Sequence, residues 1–301
     1  MKKLILLAIL LLPTVSLADG RGIAGPGGNN VPGVAQIMQE QGADWFYTWR
    51  AGERDTPGWV PMFYHGLTGA LWQIQRVQII TGRGYVGGYW LIGNEPHHNG
   101  ISTVDAVTQY AGMVGVIKEG DPSGKPIIGG WITPSLGRLA AFRQEWHAQR
   151  GCWPEEEIAG YHVHLYTNFS PDWRSELEAW LDATPGMECW VTEYGQLDHL
   201  DADTLTEMTL WLDANERVDR YAVFYAGLPN GEWPRTSLYV WDGDTPVMTD
   251  LGRTYAALAT VPTVTPTVAP QPTPEPQAPV YRLYVPFYES FSPGEEAAEG
   301  E

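Results

Sequence analysis

The chain has 301 residues, with 18 Lys and Arg against 36 Asp and Glu, for a formal net charge of −18. That balance excludes a nucleic-acid partner, whose phosphates need a dense Lys/Arg surface, and disfavours anionic polysaccharides and anionic membranes. Two Cys exclude a disulfide scaffold and a four-cysteine zinc site, whereas 44% hydrophobic residues supply a sizeable core. The 14 Trp are several times the roughly four that average usage gives a chain of this length, and large flat amphipathic rings suit neutral sugars.

Residues 1–18 have the pattern of a secretory signal peptide: Lys2 and Lys3, an apolar run from Leu4 to Leu12, then Ser16-Leu17-Ala18. Removing them takes the charge from −18 to −20. The apolar run is too short for a comfortable transmembrane helix, and no later stretch reaches 18 apolar residues. Residues 19–260 then alternate apolar, β-branched or aromatic runs with helical patterns. Strands are expected at 21–25, 44–49, 59–64, 89–93, 127–131, 161–166, 190–194 and 221–225. The helix after the fourth strand opens with Ser102 and Asp105 in a capping-box spacing and puts Val104, Val107, Ala111 and Val114 on one face. Later helices carry Leu139, Phe142 and Trp146; Trp173, Leu177, Trp180 and Leu181; Leu205, Met208 and Leu212; and Tyr255 with Leu258. Eight near-continuous apolar strands alternating with helices imply a parallel sheet, and a single (β/α)8 TIM barrel of the α/β class is the economical closure. From 261 to 279 the composition falls to Pro, Thr, Val and Gln, as in an extended linker. Residues 280–301 hold one short apolar alternation, Tyr281, Leu283, Val285 and Phe287, then an acidic end. This tail either serves surface association or packs back on the barrel.

In such a barrel, chemistry sits at the C-terminal ends of the strands. The fourth strand runs into Gly93-Asn94-Glu95-Pro96, and the seventh ends in Trp190-Val191-Thr192-Glu193-Tyr194-Gly195. Strands four and seven lie roughly opposite, so the two carboxylates face each other across the mouth. A retaining glycosidase needs that pair ~5–5.5 Å apart, one carboxyl protonated for the leaving oxygen and the other ionised for attack.

These blocks resemble the retaining glycoside hydrolases of clan A. The resemblance implies that Glu95 is the acid/base, that Asn94 binds the sugar 2-hydroxyl and that Glu193 is the nucleophile. Further blocks resemble the glycosyl hydrolase catalytic core group, glycoside hydrolase family 128, of β-1,3-glucanase type. They are Phe46-Tyr47-Thr48-Trp49, the 59–64 run, His164-Leu165-Tyr166, and Thr249-Asp250-Leu251-Gly252 with Tyr255. The chain departs at Pro96-His97-His98, where an acidic residue is expected after the proline, and at its Gly-rich start. The resemblance implies an endo-β-1,3-glucanase; the 1–18 pattern makes it secreted and extracellular, the acidic balance favours a neutral β-glucan, and a monomer with no cofactor is expected. The alternatives are a clan A glycanase of other linkage (mannan, galactan, β-1,4-glucan) and a non-catalytic carbohydrate-binding barrel.

Alternation along 161–166 turns His162, His164 and Tyr166 inward. Tyr166 is expected on the nucleophile, as in the resembling enzymes, and His164 in a subsite or as a satisfied core histidine. No metal is expected: the His-x-His spacing sits on the sixth strand, and His97-His98 is the other histidine cluster. The run 82–87 matches G-x-G-x-x-G but follows a helix and precedes a strand, the reverse of a dinucleotide fingerprint. Cys152 and Cys189 fall near the lower ends of neighbouring strands, and a bridge between them is expected in an oxidising compartment. Among the tryptophans, Trp72, Trp146, Trp173, Trp180 and Trp211 are expected in helices as core. Alternation turns Trp90 and Trp190 toward the helices. Trp49, Trp131 and Trp241 fall at or after strand ends and are the stacking candidates for a pyranose.

Overall fold

The structure, a computed structural model, describes residues 20–25, 33–51, 56–64, 70–227, 235–243 and 245–259, with the side chains of 70–72 outside that description. The proposed signal peptide, linker and tail, and the side chain of Trp72, therefore lie outside the described residues.

Each expected strand is present, several of them shorter than the apolar runs. They are β1 (Arg21–Ala24), β2 (Trp45–Tyr47), β3 (Met62–Phe63), β4 (Tyr89–Ile92), β5 (Lys125–Trp131), β6 (Gly160–Tyr166), β7 (Glu188–Gly195) and β8 (Arg220–Val223). Their sheet order is β2-β1-β8-β7-β6-β5-β4-β3, every pair parallel. The remaining seam closes through a parallel bridge between Phe46 and Trp59, where the Phe46 N–H donates to Gly58 O and the Val60 N–H to Phe46 O. The chain is a (β/α)8 barrel.

Helices α1 (Val34–Gln41), α2 (Ala70–Gly82), α3 (Thr103–Gly120), α4 (Leu136–Arg150), α5 (Trp173–Ala183), α6 (Ala202–Ala214) and α7 (Asp250–Leu258) cover the outside. Among the described residues no helix joins β2 to β3. The Ser102 hydroxyl accepts from the Asp105 N–H and caps α3, and Ser135, Asp201 and Thr249 cap α4, α6 and α7 in the same way. A hairpin that apolar periodicity does not announce, β9 (Tyr239–Asp242) with β10 (Thr245–Met248), precedes α7.

Two apolar layers result. Between sheet and helices lies the large core, with Trp90, Trp146, Trp173 and Trp180 in it and Trp211 packed against it. Inside the barrel, Trp45, Tyr47, Val60, Met62, Leu91, Ile127 and Trp190 fill the lumen. Trp190 thus faces inward, contrary to the alternation expected of it. The cause is a register shift in β7 between Val191 and Tyr194, which puts an extra residue between Trp190 and Glu193 and keeps both on the inside.

The expected disulfide is absent. Both thiols are free: Cys189 is buried in the outer core, while half-buried Cys152 donates to Glu157 Oε2 at 3.4 Å. The two side chains answer to different surroundings, one apolar and one a surface carboxylate.

Candidate active site

β4 and β7 deliver Glu95 and Glu193 to the same end of the barrel. One oxygen of each carboxylate and a nitrogen of His164 lie within 4.8 Å of one another. Glu193 is buried, and three side chains hold it. The Tyr47 hydroxyl and Trp49 Nε1 each donate to Oε1 at 2.7 Å, and the Tyr166 hydroxyl donates to Oε2. Tyr47 and Trp49 come from the end of β2 and Tyr166 from the end of β6, so two strands fix a carboxylate carried by a third, β7. These three donors fix the position of the carboxylate. Burial and then the Glu193 charge push both phenols well above their ordinary value, so each stays a protonated donor.

Glu95 is more open and held from the backbone. Its N–H donates to Gly130 O at 2.7 Å, and Asn99 Nδ2 donates to the carbonyls of Glu95 (2.9 Å) and Asn94 (3.1 Å). Among the described residues, Trp49 and Glu95 are the two non-glycine positions with left-handed backbone, at φ 48° and 45°. That conformation costs roughly 1–2 kcal/mol per residue, and both instances fall in this cluster.

His164 joins the two acids. Fully buried, its Nδ1 lies 3.1 Å from Glu95 Oε1 and 3.4 Å from Glu193 Oε2. Burial opposes its charge, but Glu193 and Glu95 outweigh it and raise the imidazole above its ordinary value. Conversely, burial would raise the Glu95 carboxyl, but His164 and then His98 overcome it and hold it below the ordinary value. His164 and Glu95 are therefore coupled, and their titration belongs to the pair. His162, one pleat below, is different: Nε2 meets Ile92 O and Nδ1 meets Thr192 Oγ1, both at 3.0 Å, and burial drives its pKa down to about 3. It is a neutral core histidine that orients Thr192 beside Glu193.

The structure thus brings Glu95, Glu193, Asn94, His164, Tyr166 and Trp49 to one mouth. Asn94 is buried on the β4 side, with the Tyr64 hydroxyl beside it. Trp49, expected to stack on a sugar, has its indole N–H on Glu193 while its ring meets Phe224 and Tyr225. Trp131 does not reach the mouth. A register shift at Gly129–Gly130 turns it outward, where it is 1% exposed among Phe142, Tyr161 and Trp180. Trp241 sits on β9, half-buried against the outer core. Tyr47, inside the resembling 46–49 block, and Asn99 carry no assigned role in the sequence. Tyr47 reads as an ordinary strand aromatic, and Asn99 acts through a turn whose geometry no spacing shows.

Among the described residues, Glu95, His164 and Glu193 are also the one set of acidic, His and Cys side chains close enough to hold a cation. Glu193 already accepts three hydrogen bonds there, which leaves it little capacity as a ligand.

Comparison with known proteins agrees with this geometry. The family model described as "Glycosyl hydrolase catalytic core" matches residues 28–255, from before α1 into α7. The chain belongs to the glycosyl hydrolase catalytic core family. It is a glycoside hydrolase. No curated protein sequence matches it. Similar solved structures include a family 128 (subgroup II) endo-β-1,3-glucanase from Pseudomonas viridiflava, at TM-score 0.61 and 19% identity over 80% of this chain and 98% of that one. A subgroup I endo-β-1,3-glucanase from Amycolatopsis mediterranei in complex with laminaritriose has TM-score 0.55 and 24% identity, covering 80% and 99%. A subgroup III curdlan-specific exo-β-1,3-glucanase from Blastomyces gilchristii, in complex with glucose, has TM-score 0.55 and 19% identity, covering 80% and 98%. At these identities the likeness is one of fold.

Proposed function

We propose that this glycoside hydrolase is a secreted, retaining endo-β-1,3-glucanase that works by double displacement. The observation that carries the mechanism is the pair of carboxylates with an oxygen of each within 4.8 Å, the spacing of a nucleophile and its acid/base rather than the wider ~6.5–9.5 Å that inversion requires. Glu193, held in place by Tyr47, Trp49 and Tyr166, attacks the anomeric carbon as Glu95 protonates the departing oxygen. Glu95 then takes a proton from water, whose oxygen displaces Glu193 and restores the β-anomer. His164 sits between them and holds the shared proton close to Glu95 before the first step.

The β-1,3 linkage is supported by the solved neighbours, several of them bound to laminari-oligosaccharides. Endo cleavage follows two of the three described above. The acidic surface favours a neutral glucan over a charged one. Secretion rests on the 1–18 pattern, with the chain acting as a monomer and segment 280–301 serving surface association.

The test is to incubate the chain with laminarin, lichenan, cellulose, mannan and galactan and to identify the products. Laminarin broken to mixed oligosaccharides supports the proposal, and glucose alone would make it an exo enzyme. A laminarin-negative, mannan- or galactan-positive result would overturn the linkage. Glu193→Ala should abolish turnover and keep oligosaccharide binding; hydrolysis unchanged in that variant would remove Glu193 from the mechanism.

A further inference from the structure

The end of the barrel opposite the carboxylates holds a cavity of about 520 Å³, within the ~300–1,000 Å³ of small-molecule sites. Its walls come from the lower ends of β2 and β8, the approach to β3 and the α2–β4 loop, through Asp44, Thr56, Arg83, Tyr85, Tyr89 and Arg220. Arg83, Gly84 and Tyr85 of the 82–87 glycine run belong to this wall. Tyr89 donates to Glu188 at the lower end of β7, and Glu193 lies five residues up that strand, roughly 16 Å away at ~3.3 Å per residue. A ligand in the cavity does not reach the carboxylates.

Arg220 distinguishes the cavity. Its guanidinium carbon lies over Trp190 (4.6 Å), Tyr89 (5.0 Å) and Trp45 (5.9 Å), so rings satisfy its faces. Yet among the described residues its guanidinium has ring contacts and no hydrogen-bonded acceptor, and its five N–H donors form a planar fork. Half-buried Tyr85 adds partly open aromatic surface, the Tyr89 ring is already taken by Lys125 (4.7 Å) and Arg220, and Asp44 and Thr56 add acceptors. An anion would suit Arg83 and Arg220 but would meet Asp44 and the field of a chain of net charge −18. A polyhydroxylated ring uses donors and acceptors together and rests its C–H face on tyrosine.

We infer that this face carries a second sugar-binding pocket, separate from the catalytic mouth, that takes one or two hexose units of a neutral oligosaccharide. The pocket's existence rests on Arg220 and its neighbours; the choice of β-1,3-linked glucose rests on the proposed function.

Calorimetric titration of the full chain carrying Glu193→Gln with laminaritriose should resolve two sites. Adding Arg220→Lys keeps the stacked cation and loses the fork, and should weaken one site at least tenfold while leaving the other. Adding Asp44→Ala instead should weaken the same site. With Glu193 restored, either variant should hydrolyse laminaritriose within twofold of the parent, and an unchanged Tm shows that the fold is intact. A single site in the parent, or two sites indifferent to both substitutions, would overturn the inference. So would sulfate binding at Arg220 without trisaccharide binding. If laminaritriose is neither cleaved nor bound but mannotriose fills a site lost in Arg220→Lys, the pocket stands and the linkage falls.

Discussion

Glu193 accepts hydrogen bonds from Tyr47, Trp49 and Tyr166 on the same carboxylate. A hydrogen bond to a charged group is worth ~1.5–3 kcal/mol, so Tyr166→Phe should lower kcat by about 10- to 100-fold with little change in Tm, as steady-state kinetics on a laminari-oligosaccharide will read. The proton set makes a second prediction. His164 is raised above its ordinary 6.5 and Glu95 lowered below its ordinary 4.5, so one proton stays on this pair to above pH 6.5. The alkaline limb of kcat/KM should therefore lie above 6.5 in the native chain. In His164→Gln it should fall toward the carboxylate range, because Glu95 alone then holds the proton. The same shifts bear on stability. The raised His164 contributes fully below pH 6.5 and is lost as pH rises through its folded value. The depressed Glu95 contributes above 4.5 and is lost as pH falls through its own. The unfolding midpoint should thus peak between these limits and fall on both sides. Glu95 and Glu193 were legible in the sequence because each closes an apolar strand. The triple grip on Glu193 was not, since Tyr47 and Trp49 lie some 145 residues away and only barrel closure joins them.

At the scale of elements, β5 shows how the strands aim their neighbours. Gly129 and Gly130 have φ of 142° and 69°, and a Cβ on Gly130 would fall 2.7 Å from Gly93 O and 2.9 Å from the Asn94 Cα. The close approach lets Gly130 O accept from the Glu95 N–H. Gly130→Ala should therefore destabilise by ~1–2 kcal/mol from its backbone strain, with more for the clash, and should lower kcat by displacing Glu95; a denaturant curve and kinetics on one preparation check both. The strand order and most of the helix faces were legible because the apolar runs and the 3.6 period persist along them, but Val104, expected on the apolar face of α3, is exposed in its first turn. Alternation failed where a strand carries an extra residue. The β5 shift buries Trp131, and the β7 shift turns Trp190 inward while keeping Glu193 at the mouth. Neither shift has a composition signal beyond a Gly-Gly pair in β5.

For the molecule as a whole, the tryptophans report core more than ligand. Trp131→Ala should cost ~3–5 kcal/mol of stability, seen in the urea midpoint, yet leave KM for laminari-oligosaccharides unchanged in the folded fraction. A raised KM at unchanged stability would return it to a subsite. The charge of −18 acts at longer range. A carboxymethylated β-1,3-glucan should be cleaved slowly at low ionic strength and faster with added salt, as screening shortens the repulsion to ~3 Å at 1 M. The central claim is two carboxylates acting in double displacement. It is tested most directly by proton NMR of the anomeric signals in the first minutes of laminaripentaose hydrolysis. Retention predicts that the new reducing ends appear as the β-anomer and only later equilibrate to α. New ends that appear first as the α-anomer would contradict the account.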